Sequence, residues 1–209
     1  MPDAVLVGGT AAALYAGHRD SMDHDHVLAD LAQRFDQVLE AIESTDGWVT
    51  NRVVPGKIIL GALGDIEAGV RQMIRKRPLE TECCKLPDGQ TVRVPTWDET
   101  LRIKGYLIVR RNQVRDYLDV AALADTGGLD AAARVLGGID EYYADQSGSP
   151  DGIASQLLRQ LADLRPADIG VTRELAHYKN LAPRWHDWNA TVQICHALAD
   201  RLLQPESDR

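Results

Sequence analysis

This chain of 209 residues has little to staple or anchor it: three cysteines, a single phenylalanine and only 5% aromatic residues. Two of the cysteines, Cys83 and Cys84, are adjacent, so neither a disulfide framework nor a Cys-x-x-Cys zinc pattern is present. No run approaches the ~18–20 consecutive apolar residues of a membrane helix. The opening Met-Pro-Asp-Ala-Val-Leu lacks a basic stretch, so no secretory signal is expected, and a reducing cytoplasm is the expected location. With so few aromatics, the core must come from Leu, Val, Ile and Ala. What is present, 44% hydrophobic and 26% charged residues, is the balance of an ordinary globular protein. The length fits one large domain, or a catalytic domain with a helical appendage.

Charge is unevenly spread. The net value is −8, yet residues 51–115 hold thirteen basic and seven acidic side chains. Residues 1–50 hold two basic and nine acidic, and residues 116–209 eight and fifteen. A basic middle block attracts phosphates locally while the acidic remainder favours solubility. Alternatively, Lys and Arg line strand edges and block aggregation.

The most informative stretch is residues 6–27. A short apolar strand runs into Gly8-Gly9-Thr10, then an Ala-rich helix, then Asp23-His24-Asp25-His26. Alternate residues of a strand share a face, ~6–7 Å apart, so Asp23 and Asp25 aim at one point. Hard divalent cations that also hold substrate phosphates want that arrangement. A Gly-Gly-Thr turn at a helix start offers free amides and a positive dipole end for phosphate. Arg19 and Ser21 lie between the two motifs. Arg19 and Arg71 either grip phosphate or pair with Asp23 and Glu67. Zinc is disfavoured, because His24 and His26 point away from the aspartates.

Further elements follow from pattern. Ala4–Val7 and Met22–His26 read as strands, Thr10–Ala16 and Leu28–Ile42 as helices. Trp48–Val54 and Lys57–Leu63 are strands joined at Pro55-Gly56, the second continuing through Asp65-Ile66-Glu67. Glu82–Leu86 and Thr91–Val94 flank the hairpin signal Asp88-Gly89, with Cys83 and Cys84 expected in a strand core. Thr96 and Glu99 form a capping box for a long helix, and helices near 129–144, 151–163 and 190–203 follow. Ser147-Gly148-Ser149-Pro150 reads as a linker. Strands gather before residue 95 and helices after it, so the class is α+β.

Two further groups complete the constellation. Asp65 or Glu67 supplies a third acid, completing a set around two metal ions that activates a hydroxyl and steadies leaving pyrophosphate. On an unbroken helix over Leu101–Ala124, at ~100° per residue, Lys104, Arg111, Arg115 and Asp119 share a face. Asp116 sits roughly 60° further round on the same helical count, which favours Asp119 as the lysine's partner. A late cluster of His177, Trp185, His186 and Trp188 packs helices or stacks bases.

These residues resemble the AbiEii/MenT-type nucleotidyltransferases of toxin–antitoxin systems, which share the DNA-polymerase-β-like nucleotidyltransferase fold. Gly8-Gly9-Thr10 with Asp23-x-Asp25, the strand bearing Glu67, and Lys104 followed by Arg115-Asp116-Tyr117-Leu118-Asp119 carry the resemblance. It implies an α+β catalytic domain with a mixed sheet over residues 1–125 and an α-helical domain over 126–209. It implies Mg²⁺, or Mn²⁺ in its place, on Asp23, Asp25 and Glu67. An NTP would be held by Gly8, Gly9, Thr10, Arg19, Ser21 and Lys104, with Asp116 or Asp119 as the lysine's partner. The implied activity is transfer of an NMP to an acceptor, the 3′ end of tRNA favoured, with release of pyrophosphate, and a cognate antitoxin as protein partner. The rival readings are a non-catalytic nucleotide-binding module on the same fold and an antibiotic nucleotidyltransferase. The basic block favours a polyanionic acceptor over an aminoglycoside.

Overall fold

The structure, a computed structural model, describes residues 3–86, 88–146, 148 and 150–204. The chain packs into two compact units: one takes the chain up to Ala11 together with Ser21–Thr96, the other Ala12–Asp20 and the chain from Trp97 onward.

The first unit is built on a seven-strand mixed sheet. Its strands are β1 (Val5–Leu6), β2 (Asp23–Leu28), β3 (Trp48–Val54), β4 (Ile58–Leu63), β5 (Ile66–Gln72), β6 (Thr81–Lys85) and β7 (Thr91–Pro95). They lie in the order β3-β4-β5-β2-β1-β7-β6, with β2–β5 and β1–β7 parallel and the other pairs antiparallel. Helix α2 (Phe35–Glu43) buries Phe35, Val38 and Ile42, which recur at helical spacing. They join Leu28, Leu31, Ile59 and Val70 in one apolar cluster. Each fully buried side chain of this size contributes ~1.5–3 kcal/mol, an upper figure.

Helix α2 starts seven residues later than the expected Leu28–Ile42 helix. Leu28 ends β2 and Leu31 lies in a turn, and both reach the core without helical backbone. The Gln72 side chain makes that turn possible. Its Oε1 accepts the Ala32 amide at 2.8 Å, and its Nε2 donates to the Ala29 carbonyl at 2.7 Å. β4 also does not continue through Asp65. The chain turns at Gly64-Asp65, and Glu67 belongs to the next strand, β5. Cys83 is exposed and Cys84 half-buried, not in a strand core, because β6 is the last strand of the sheet. Lys85 on β6 and Arg52 on β3 occupy the two edge strands, where charge opposes edge-to-edge pairing. The Thr96 amide donates to the Glu80 carbonyl at 2.9 Å, the donor a capping box would have given to Glu99.

The chain leaves β1 into helix α1 (Gly8–Ala16). The second unit contains α3 (Trp97–Arg111), α4 (Val114–Gly127), α5 (Leu129–Gly137), α6 (Ile139–Tyr143), α7 (Ile153–Ala162) and α8 (Trp188–Leu203). A 3-10 segment spans Ile169–His177. α4 is its centre: ten of its fourteen residues are buried, and α3, α5 and α8 pack around it. A helix apolar on nearly every side is one enclosed by neighbours.

The expected helix over Leu101–Ala124 is broken at Asn112, whose φ is 50°. Its side chain binds the corner from both sides, accepting from the Tyr117 hydroxyl at 2.6 Å and donating to the Arg165 carbonyl at 2.7 Å. Asn is among the few non-glycine residues that tolerate this left-handed conformation. The helix expected near 129–144 is likewise two helices, divided at Gly137-Gly138. Of the expected linker, Ser147 and Ser149 lie outside the described residues, as do Met1 and Pro2 of the opening stretch. Among the described residues no helix is long and apolar enough to cross a membrane.

Candidate active site

Sheet register decides which carboxylates share a face. In the parallel pair β2–β5, Asp23 aligns with Glu67, Asp25 with Gly69, and Val27 with Arg71. Aligned residues of neighbouring strands point the same way. Asp23, Asp25, Glu67 and Arg71 therefore occupy one face. His24, His26 and Leu28 occupy the other, the side of the apolar cluster. Burial lowers the pKa of His26, consistent with a packed imidazole.

Asp23 and Asp25 are half-buried and Glu67 is exposed. The Thr10 hydroxyl donates to the Asp23 carbonyl at 2.8 Å, and the Ser21 hydroxyl reaches the same oxygen at 3.3 Å. Both hydroxyls thus brace the backbone of Asp23. The Val7 amide donates to the Asp25 carbonyl at 2.8 Å. Gly8, with φ +76°, passes so close that a Cβ there would lie 3.3 Å from Asp25 Oδ2. Gly9 follows it in the first turn of α1. Asp65 lies in the turn before β5, so Glu67 is the acid that the strand register sets beside Asp23.

Arg71 donates from Nε to Asp25 Oδ1 at 3.2 Å and so pairs with Asp25, where Glu67 was the expected partner. Three acids on one face repel, and a single arginine offsets part of that. Among the described residues no group of three or more His, Cys, Asp or Glu side chains is arranged to hold a metal ion by itself. The donor set is all hard oxygen, which fits Mg²⁺ shared between one or two carboxylates and substrate phosphates, and does not fit an all-protein cage.

A second constellation lies in the helical unit. Lys104 Nζ is 2.7 Å from Asp119 Oδ2, the contact being made across the α3–α4 corner and not along one helix face. Arg19 grips the same carboxylate with both prongs, Nε to Oδ1 at 2.9 Å and Nη2 to Oδ2 at 3.1 Å. Its expected partner was Asp23. His18 Nε2 lies 2.8 Å from Asp119 Oδ1. Asp119 is fully buried, and Lys104, His18 and Arg19 are nearly so. Burial alone would raise the Asp119 pKa; Lys104, His18 and Arg19 override it and hold the carboxyl well below its ordinary range. Burial likewise works against the Arg19 charge, and Asp119 outweighs it, so that pKa is raised.

Asp116 is also buried, but Arg111 takes it with two bonds of 2.6 and 2.7 Å. Asp119 is therefore the lysine's partner. His18 went unnoticed in the sequence; its only signal is its place next to Arg19 after the glycine that ends α1. Trp185 is buried in the helical core, and Trp188 meets Tyr117 edge-on at 6.2 Å, so this pair packs helices. His186 contacts the Leu181 carbonyl at 2.7 Å, and His177 is exposed.

The mixed sheet carries acids on adjacent central strands and is followed in sequence by a helical unit. The fold resembles MenT4, a nucleotidyltransferase toxin of Mycobacterium tuberculosis H37Rv, with a TM-score of 0.62 and 20% identity over 99% of this chain and 77% of that one. The antibiotic-resistance factor ANT(2'')-Ia shares the fold more distantly, with a TM-score of 0.50 and 13% identity over 68% of this chain and 84% of the other. The sequence matches the family described as "Nucleotidyl transferase AbiEii toxin, Type IV TA system" over residues 1–198. The chain belongs to this AbiEii family of nucleotidyltransferase toxins.

Sequence likeness also extends to transport proteins. "Heme uptake protein MmpL11" of Mycobacterium tuberculosis H37Rv is 47% identical over 96 residues, 46% of this chain and 10% of that protein. "Mycolic acid-containing lipids exporter MmpL11" of Mycolicibacterium smegmatis is 37% identical over 130 residues, 62% of this chain and 13% of that one. The chain thus spans only about a tenth of the length of these curated relatives.

Proposed function

We infer that this chain transfers an NMP from an NTP to an acceptor hydroxyl, the 3′ end of tRNA favoured, and that the catalytic residues lie within 1–125, with 126–209 as a helical domain. The observation that carries this reading is the register of β2 against β5, which sets Asp23, Asp25 and Glu67 on one face. Asp23, Asp25 and Glu67 would hold Mg²⁺, or Mn²⁺ in its place. When bound, the ion would polarise the α-phosphate and neutralise charge on departing pyrophosphate.

The remaining work falls to the protein. Backbone amides at Gly8, Gly9 and Thr10 face the triphosphate, and Ser21 and Thr10 keep Asp23 in place. Lys104, fixed by Asp119, orients phosphate oxygens as a compact cation. Arg19 acts through Asp119. The acceptor oxygen attacks the α-phosphorus as Glu67 takes its proton, and the bond to the leaving pyrophosphate breaks. Inside the cell, a cognate antitoxin would restrain this activity in the cytoplasm.

The test is direct. Purified protein with Mg²⁺ and each α-labelled NTP is expected to label total tRNA; labelling of nothing in tRNA or lysate overturns the reading.

A further inference from the structure

All groups around the Asp119 carboxylate belong to one compact unit. Oδ1 accepts from His18 Nε2 and Arg19 Nε, and Oδ2 from Arg19 Nη2 and Lys104 Nζ. A carboxylate can only accept, so His18 gives its Nε2 proton. Its other nitrogen, Nδ1, is buried and has no hydrogen-bond partner among the described residues. Lys104 and Arg19 already outnumber the single carboxylate, so charge balance does not call for a third donor. What His18 adds is direction. Arg19 sets the plane of the carboxylate with its two prongs; His18 gives Oδ1 a second donor, so that Lys104 meets Oδ2 and not Oδ1.

The backbone is arranged to keep His18 there. Its carbonyl accepts the Ala182 amide at 2.7 Å, and the Asp20 amide donates to the Lys179 carbonyl at 2.9 Å. We propose that His18 is a positioning residue that acts through Asp119 to hold the Lys104 ammonium ready for nucleotide phosphates. This rests on the nucleotidyltransferase reading above.

Three substitutions separate the two ring nitrogens. His18→Gln places an amide N–H near the reach of Nε2, His18→Asn places one near Nδ1, and His18→Phe keeps only the ring. Affinity for a non-hydrolysable NTP analogue and kcat are measured beside thermal melting. Groups that orient metal ligands from an outer layer are typically worth 10–100-fold; on that scale His18→Phe and His18→Asn are expected to lose about tenfold in nucleotide affinity and His18→Gln to stay within about threefold. Recovery by Asn instead of Gln overturns the proposal, as does unchanged binding in all three.

Should the variants not fold, ¹⁵N imidazole shifts of the unaltered protein decide. A proton on Nε2 is expected, and a neutral ring protonated at Nδ1 overturns the proposal. An unaltered chain that binds no NTP instead overturns the functional reading, and the imidazole measurement then remains as the separate test of the His18 contact.

Discussion

Lys104 and Asp119 sit on different helices, fifteen positions apart in sequence, and meet at 2.7 Å in the interior of the helical unit. Neither is exposed to solvent to any useful extent. A buried ion pair of this sort is paid for in desolvation and holds only because Arg19 and His18 complete it. Arg19 still compensates Asp119 when Lys104 is removed, but one charge-assisted contact of the buried cluster is lost. Lys104→Met is therefore expected to destabilise the fold by about 1–3 kcal/mol, read as the change in urea midpoint, and to abolish labelling from NTP.

The acid face makes a different prediction. Asp23 and Asp25 are only half-buried, and their carboxylates do not carry the core. Asp25→Ala is expected to leave the melting temperature within a few degrees while lowering transfer by about 10²–10³-fold or more, the scale of losing one electrostatic stabiliser of the transition state. An activity unchanged by this substitution overturns the assignment.

Stability should fall in acid for a nameable reason. The folded-state pKa of Asp119 is depressed below its ordinary 3.8. A depressed carboxyl contributes stability that is fully present above the unfolded value and is lost as pH falls through the folded one. Unfolding free energy is expected to hold above pH 5 and to decline below about pH 4. Asp119→Asn should show a flatter acid limb, checked by urea titrations at a series of pH values.

Gly8 combines a left-handed backbone with close approach to Asp25. Gly8→Ala introduces a Cβ in that conformation, 3.3 Å from Asp25 Oδ2. About 1–2 kcal/mol of strain is expected, together with a loss of activity larger than the loss of stability implies. Calorimetry and the labelling assay on one preparation separate the two.

Asn112 supplies the last test. Asn112→Gly keeps the left-handed φ and gives up the Tyr117 and Arg165 contacts; Asn112→Ala loses both advantages. The alanine variant is expected to be less stable by about 1–3 kcal/mol, the glycine variant by less, as read from denaturation midpoints.

The strands and the acid pair were legible in the sequence because alternation and turn dipeptides are local signals. Asp23 and Asp25 share a face whatever surrounds them. A break near Asn112 could be raised from the sequence only as a condition on the helical count, since Arg111-Asn112-Gln113 contains neither proline nor glycine; the corner is held by Tyr117 and by Arg165, far along the chain. The helical count still led to Asp119 over Asp116, though the contact runs across a corner. Arg111 decided the matter by taking Asp116. The Arg19 pairing with Asp119 was out of reach for a comparable reason: it joins residues about a hundred positions apart, and nothing in spacing records that.

The parallel alignment of β2 with β5 also sets which insertions the gene can tolerate. Sidedness in a strand is binary. One residue added between Glu67 and Gly69 would leave the acid on its face but turn Arg71 away from Asp25, whereas one added at Ile66 can be absorbed by the preceding turn. Length variation among relatives should therefore pile up in the turns at Pro55-Gly56 and Gly64-Asp65, and stop abruptly at Glu67.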